Sequence, residues 1–380
     1  MSAAIGLIGW LFCILAGIGG VYTVAVTVIF VGYFSRKGPV ATASPPVTLV
    51  KPLHGADEQL TESLETYFRQ DYSGAIQIAL GVKDAEDPAV EVVKALIERH
   101  PDSDITLVID ERMHGPNRKV SNLANIIARA RHDVLIMSDD DVRVGPDYVR
   151  NIVAALAQPG IGAVSPPYLG EPVAGLWSRV AAMSFHYGFL PSAILAKSLG
   201  LAEPCFGPTI ALTRGVLNEI GGIAAFAEFL AEDFEIGRAV RARGYGIAIP
   251  AMTITTLCSE AGPEAVFRHE LRWARTIRRI AGAGHVGSVV THPFVLSLIG
   301  AALLGGQPAA IGLIFAILGV RIACKFRIDA VTGAESGPWW LLPLRDVLSF
   351  GVFLASFSGD TVEWQGQRYY VGRDGVLTEI

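Results

Sequence analysis

From Met1 to Ser35 the chain carries no Asp, Glu, Lys or Arg, and residues 5–33 are almost wholly apolar. A helix that crosses a bilayer needs about 20 such residues, so this stretch commits the first element of the chain to lipid. A cleaved signal peptide is the competing reading. It requires a basic leader and a shorter apolar core, and residues 1–10 hold no positive charge. Arg36 and Lys37 follow directly, with Pro39 and Pro45-Pro46 beyond them. Basic residues mark the cytoplasmic flank of a span. Met1 is therefore expected outside the cytoplasm and residues 47–284 inside it.

Lipid-facing character returns near the other end. Residues 289–304 and 309–323 form two apolar stretches separated by Gly305-Gly306-Gln307-Pro308, with Arg321, Lys325 and Arg327 marking the cytoplasmic side of the second. A third, residues 339–357, holds Arg345 and Asp346 at its centre. A charge at mid-bilayer costs at least about 2.5 kcal/mol, so this piece is expected to be interfacial or re-entrant. Only 18% of the 380 residues are charged, against about 25% in a soluble domain, which agrees with several membrane elements. The expected divisions are a transmembrane helix at 1–35, a catalytic domain at 45–285, membrane helices at 286–358 and a cytoplasmic tail at 359–380. A net charge of −5 argues against nucleic acid as a partner, because that surface would be basic. Cys13, Cys205, Cys258 and Cys324 are far apart and form no CxxC pair. Neither a zinc site nor a disulfide framework is suggested.

Between the apolar ends, short strands alternate with amphipathic helices. Strands are expected at 47–50, 76–82, 105–109, 134–137 and 209–213. Helices are expected at 57–69, 88–99, 122–131, 232–243 and 263–281, the last strongly basic. That order predicts an α/β fold, a mostly parallel sheet with helices on both faces. Such sheets bind ligands beyond the carboxyl ends of their strands, which directs attention to the residues that follow each strand.

Ser138-Asp139-Asp140-Asp141 follows the strand at 134–137. Three adjacent carboxylates at the edge of an apolar core repel one another, and a divalent cation removes the conflict. Side chains alternate along extended chain, so Asp139 and Asp141 can face one site while Asp140 points elsewhere. Oxygen ligands at that spacing suit Mg2+ or Mn2+, which would also hold a diphosphate. A solvated acidic turn is the alternative. Asp84, after the strand at 76–82, can accept hydrogen bonds from a uracil or ribose, or remain a solvated turn residue; Asp87 reads better as the cap of the helix that Pro88 opens. Lys119 can reach a phosphate or sit on a solvated basic turn, and Asn122 can bond a ribose or brace its loop. Asp233, in Ala231-Glu232-Asp233-Phe234, is a general base or a partner of the helix dipole. The basic helix carries Arg268, His269, Arg272, Trp273, Arg275, Arg278 and Arg279. Part of it is a membrane-facing positive surface, while Arg272 can meet a departing diphosphate and Trp273 can shape an acceptor pocket.

The order Lys51-Pro52-Leu53-His54-Gly55, Asp84, Lys119 with Asn122, Asp139, Glu232-Asp233 and Arg272-Trp273 resembles the ceramide glucosyltransferases, membrane enzymes of glycosyltransferase family 21 with a GT-A (Rossmann-like) fold. Asp84-x-x-Asp87-Pro88 and the spacing from Trp364 to Tyr369 extend the likeness to the tail. Asn117-Arg118-Lys119-Val120-Ser121-Asn122 and Arg268-His269-Glu270-Leu271-Arg272-Trp273 are most similar to a bacterial branch associated with hopanoids. Its members are thought to add N-acetylglucosamine from a UDP donor to bacteriohopanetetrol. The resemblance implies that Asp84 meets uridine, that Asp139 meets the metal and diphosphate, and that Asp233 is the base, with Arg272 and Trp273 at the diphosphate and acceptor. His269 stands where the family generally has Gln or Arg, and is counted with the catalytic candidates. Asp140-Asp141 stand where animal members have Ser-Gly, which strengthens the expectation of a metal.

The function expected is an inverting, single-displacement transfer of N-acetylglucosamine or glucose from a UDP-sugar to a lipid hydroxyl, on a hopanoid or ceramide. The place expected is the bacterial inner membrane, with several spans and the catalytic domain in the cytoplasm. Two other readings stand beside it. A polyprenyl-phosphate glycosyltransferase has an acceptor that is already ionised and needs no base at Asp233. A non-catalytic sugar- or lipid-binding membrane protein has no use for a complete set of metal, base and leaving-group residues.

Overall fold

The computed structural model of the protein describes residues 3–36, 38–40, 42–359, 361–364, 367–372 and 376–379. Met1 and Lys37, used in the topology expectation, lie outside the described residues, as do Gln365 and Gly366 of the tail spacing. The chain opens on helix α1 (Ala3–Phe34). Then follow β1 (Val47–Pro52), α2 (Leu60–Phe68), β2 (Ile76–Val82), α3 (Ala89–Arg99), β3 (Asp104–Ile109), α4 (Arg118–Ile127), β4 (Val134–Ser138), β5 (Val142–Arg143) and α5 (Tyr148–Leu156). Next come β6 (Ile161–Val164), β7 (Tyr168–Pro172), α6 (Leu176–Ser184), a π-turn (Phe185–Phe189), α7 (Leu190–Ser198), β8 (Thr209–Thr213) and α8 (Arg214–Glu219). The α/β region ends with α9 (Glu232–Ala242), β9 (Gly246–Ala248), β10 (Ile254–Cys258) and α10 (Pro263–Ile280). Last are α11 (Gly282–Gly287), α12 (Pro293–Leu303), α13 (Pro308–Thr332), α14 (Leu342–Ser356), β11 (Thr361–Trp364), β12 (Gln367–Val371) and β13 (Leu377–Glu379).

The main sheet runs β3-β2-β1-β4-β8-β6-β9. Strands β3, β2, β1 and β4 are parallel, whereas β8 is antiparallel to both β4 and β6. The sheet is therefore mixed, where a mostly parallel one was expected. Alternation along the strands builds two cores. Leu49, Ile78, Leu80 and Ile136 face α2, α3 and α5. Val50, Ala79, Leu135 and Met137 face α4 and α9. A small second sheet, β5-β10-β7, lies at the carboxyl end of β4. Several of these short strands carry too little periodicity to be read from sequence. All four cysteines are free thiols.

Helix α4 begins at Arg118 rather than at residue 122, because the Asn117 side chain accepts the Val120 N–H at 3.0 Å and caps it. Lys119 and Asn122 thus ride on a helix and not on the loop before it.

Among the described residues, α1 and α13 are long and apolar enough to cross a membrane. The stretch expected at 289–304 is instead bent by 67° where Pro293 opens α12. Helix α13 runs on to Thr332, so Arg321, Lys325 and Arg327 lie within it. Two of these charges are paired: Arg321 grips Asp346 at 3.0 and 2.5 Å, and Lys325 meets Asp329 at 2.6 Å. Arg345 and Asp346, expected to trouble a buried membrane segment, are both in ion pairs, Arg345 binding Glu270 of α10 at 2.5 and 2.6 Å. Helix α14 is therefore held to α10 through its charges. Helix α1 is held through Tyr33, whose hydroxyl donates to the Ile249 carbonyl at 2.5 Å. Within the stretch expected as a cytoplasmic tail, the described residues form the three-stranded sheet β11-β12-β13.

Candidate active site

Strand β1 sits between β2 and β4, and the chain leaves its two flanks in opposite directions, so the crevice at their carboxyl ends is a topological switch point. Asp139 emerges there directly after β4. Lys119 of α4 reaches it at 2.6 Å and reaches Glu232 of α9 at 2.9 Å. One lysine thus joins segments from three parts of the chain. Asn117 fixes the same junction, its side-chain amide donating to the Phe229 carbonyl at 2.9 Å and to Glu232 at 3.4 Å. Gly115 lets the two loops touch, because a Cβ there would stand 2.8 Å from the Ala227 carbonyl oxygen. Burial opposes charge on Lys119, but Asp139 and Glu232 outweigh it and hold its pKa well above the ordinary lysine value. A cavity of about 10 Å³ lies beside the clamp, lined by Lys119, Ser138, Asp139, Gly207 and Glu232 among others. That is room for about one water.

Beneath this floor lies a second lysine. Lys51 is fully buried, donates to the Asp139 carbonyl oxygen at 2.6 Å and sits 3.8 Å from the centre of the Tyr67 ring. The Tyr67 and Ser138 hydroxyls are 2.7 Å apart, and Thr209 donates to Ser138 at 3.1 Å. Burial pushes Lys51 down to about 7 against the pull of the aspartates above it.

The three aspartates diverge. Asp139 takes Lys119, Asp140 accepts from the His54 backbone, and Asp141 accepts from the Thr256 hydroxyl at 2.8 Å. Burial first, and then its two neighbours, raise Asp141 to about 7. Asp140 is raised by burial and by Asp139. This is an excess of crowded negative charge, and it suits a cation with oxygen ligands. No three His, Cys, Asp or Glu side chains converge on one point among the described residues. Asp139 and Asp141 are the donors at hand. One or two carboxylates completed by substrate phosphates is the usual way Mg2+ is held.

Asp233 lies in the first turn of α9, its carboxylate accepting the Phe234 N–H at 2.8 Å. Burial and the adjacent Glu232 raise it to about 7. Gly207 presses on it: a Cβ there would stand 3.0 Å from the Asp233 oxygen. Gly207→Ala should therefore displace the carboxylate by a few tenths of an ångström. We expect turnover to fall about tenfold, since misplacement near 1 Å costs about 10²-fold, with the melting temperature little changed. Steady-state kinetics beside thermal unfolding checks this.

Arg272 of α10 is half-buried, within electrostatic reach of Glu232. Trp273 stands edge-on to Phe185 at 5.2 Å and to His269 at 4.4 Å. His269 is bonded to Glu260 at 2.6 Å, so its geometry is that of a support for Trp273. Asn122 is buried, and its amide donates to the Gly81 carbonyl at 2.8 Å, which braces the end of β2. Asp84 is apart from the cluster: it is exposed, accepts the Glu86 N–H at 3.0 Å and borders an open cleft of about 350 Å³ with Lys83, Ala85, Ile109 and Glu111. Asp87 accepts from Ala89 at 2.9 Å and from Gly55 at 3.0 Å, capping α3 and tying down the loop after β1. Sequence reasoning missed the contacts of Lys51, Asn117, Glu232 and Thr256. A lysine within an apolar strand and an acidic pair at a helix start were the legible signals among them.

Glycosyl transferase family 21 matches this chain over residues 9–377. Ceramide glucosyltransferase 1 of Caenorhabditis elegans is 23% identical over 349 residues, covering 87% of this chain and 72% of its own. A ceramide glucosyltransferase of Candida albicans is 32% identical over 121 residues, covering 29% of this chain and 22% of its own. A mannosyltransferase from Pyrobaculum calidifontis, solved with GDP-Man and Mn2+, has a TM-score of 0.53 at 19% identity and covers 93% of this chain and 99% of its own. At that identity the likeness is one of fold.

Proposed function

The chain belongs to glycosyl transferase family 21 and is a hexosyltransferase; from that premise we propose that it moves a sugar from a UDP donor to a hydroxyl of a membrane lipid, with inversion. The observation that carries this reading is the junction of Asp139, Lys119 and Glu232-Asp233, three distant segments meeting at the switch point of the sheet, with Arg272 within electrostatic reach of Glu232, in a chain whose described residues include two helices apolar enough to cross a membrane. The donor's uridine lies toward Asp84 and its diphosphate toward Asp139. Asp233 takes the proton of the lipid hydroxyl as its oxygen bonds the anomeric carbon, and the bond to UDP breaks on the opposite face. Lys119 and Arg272 stand where the diphosphate gathers charge, and fixed charge of that kind is a large term in catalysis. A divalent cation held by Asp139 and Asp141 would supply further positive charge to the same leaving group.

The acceptor is a hydroxylated lipid of the ceramide or bacteriohopanetetrol kind and the sugar is glucose or N-acetylglucosamine. Membranes holding the protein, incubated with each labelled UDP-sugar and each lipid, separate these choices by mass spectrometry of the product. Absence of a lipid glycoside in every pairing would overturn the reading.

The site faces the cytoplasm of a bacterial inner membrane in this proposal, since Arg36 stands two residues past the end of α1 and basic flanks stay inside. Ser103→Cys, in an exposed turn of the catalytic domain, is expected to resist an impermeant thiol reagent in intact cells and to react after lysis. Labelling in intact cells would reverse the topology.

A further inference from the structure

Tyr168 opens β7 at the edge of the site. Two residues along the paired strand β10 from its partner Ile254 is Thr256, which holds Asp141 at 2.8 Å. On its other side, the ring meets Phe206 edge-on at 5.7 Å, and the next residue, Gly207, is the one that presses on Asp233. Tyr168 is thus set between the acidic cluster and the base. Burial first, and then Asp233, Asp141 and Asp139, hold its phenol protonated well above the ordinary range. No hydrogen bond to this hydroxyl is made among the described residues, and its oxygen keeps some open surface, so it is free to donate to a bound ligand.

The ring is held by aromatic neighbours. Phe185 lies at 5.2 Å and Phe189 at 5.7 Å, the two ends of the π-turn. That turn is pinned at both sides, His186 to the Gly170 carbonyl at 2.9 Å and Tyr187 to Asp329 of α13 at 2.6 Å. Such turns recur at functional sites. Phe185 and Phe206 are buried, but Phe189 is 37% exposed. Helix α7 begins at the next residue and packs on α1, one of the two helices fit to cross a bilayer. An aromatic path therefore leads from the membrane elements to Tyr168.

A hydroxyl about to attack an anomeric carbon gives its proton to Asp233 and its lone pair to the new bond. A phenol donating to that same oxygen would oppose the attack. Resting on the function proposed above, we propose that the Tyr168 hydroxyl donates to a second polar group beside the reacting hydroxyl, so that the site selects lipids with vicinal polar groups over simple alcohols. Phe189 packs the hydrocarbon next to that headgroup.

The test uses the full-length protein in detergent micelles and a photoactivatable lipid that carries a vicinal diol. Stearyl alcohol and the matching vicinal diol compete for labelling. Wild type should favour the diol about tenfold, the scale of one net hydrogen bond. Tyr168→Phe should erase that preference, Tyr168→His should recover part of it through its ring N–H, and Phe189→Ala should weaken both competitors about fivefold or more. Near-ultraviolet circular dichroism confirms that each variant is folded. Should Tyr168→Phe unfold, Tyr168→His and Phe189→Ala decide by the same two measures. A folded Tyr168→Phe that keeps the tenfold preference overturns the assignment, as does a wild type that shows none. Labelling needs no turnover. A protein that discriminates diols yet transfers sugar from no UDP donor would sink the function proposed above and leave this subsite standing.

Discussion

Asp233→Asn is expected to lower sugar transfer to lipid by about 10²–10⁴, the usual scale of general-base catalysis, while leaving UDP-sugar affinity within a few-fold of wild type. The carboxylate sits in the first turn of α9, beside Glu232, and burial with that neighbour raises it to about 7. A base near neutrality can accept a proton and yet be ionised at working pH. An amide of almost the same shape cannot accept the proton. It can still accept the Phe234 N–H that now binds Asp233 at 2.8 Å, so the local fold should survive. If Asp233 served the helix alone, Asn would replace it with little loss, because Asn caps helices as well as Asp does. The sign of the pH effect follows. The working form is the deprotonated one, so wild-type turnover should fall as pH drops below about 7 and level off above it. Asp141 titrates in the same range, so the variant's residual activity should keep a shallower dependence. Turnover, pH profile and nucleotide binding of the purified variant provide the check. A variant holding more than about a tenth of wild-type turnover would shift attention to Glu232.

Why Asp233 could be singled out from sequence as a candidate, and the contacts of Glu232 could not be foreseen, is a matter of which contacts are local. Strand ends and helix starts are written in short patterns. The apolar run at 134–137 followed by three aspartates, and Glu232-Asp233 at the head of an amphipathic helix, sit in any reader's view. The Lys119 bridge to Glu232 spans more than a hundred residues and depends on the crossover that brings α4 over β1. Nothing local encodes it. The same holds for Lys51, whose burial is offset by a carbonyl oxygen and a ring from β4 and α2. Helices apolar enough to cross a membrane were legible where hydropathy alone decides, as in α1. They were less so where ion pairs do: Arg345 and Asp346 read as a mid-bilayer cost, and each instead has a partner supplied by another helix. Boundaries moved where a side chain caps a helix, as Asn117 does for α4. The antiparallel placement of β8 beside β4 came from topology, which strand composition does not report.

Chelation of divalent cations should abolish transfer, and Mg2+ or Mn2+ should restore it. The geometry makes this a sharp test, because Asp139 already has a cation on it. The Lys119 ammonium stands 2.6 Å away and is shared with Glu232. Two assignments are thus in competition. In one, Lys119 orients Asp139 and a divalent ion carries the diphosphate. In the other, Lys119 is itself the positive charge that meets the diphosphate. The crowding of Asp140 and Asp141, both raised by burial and neighbouring carboxylates, favours the first. One lysine clamp and one buried, depressed lysine leave that negative charge uncompensated. Asp139→Ala removes a metal donor and half of the clamp together, and should cost about 10³ in turnover, the upper range for losing one stabiliser of a developing charge. Asp140→Asn should cost about tenfold or less, since Asp140 accepts from the His54 backbone and an amide oxygen can do the same. Binding of Mn2+, followed by its electron paramagnetic resonance signal without any donor turnover, should weaken in Asp139→Ala and persist in Asp140→Asn. Full activity in chelator, with Lys119→Met inactive, would instead make Lys119 the charge that the leaving group meets.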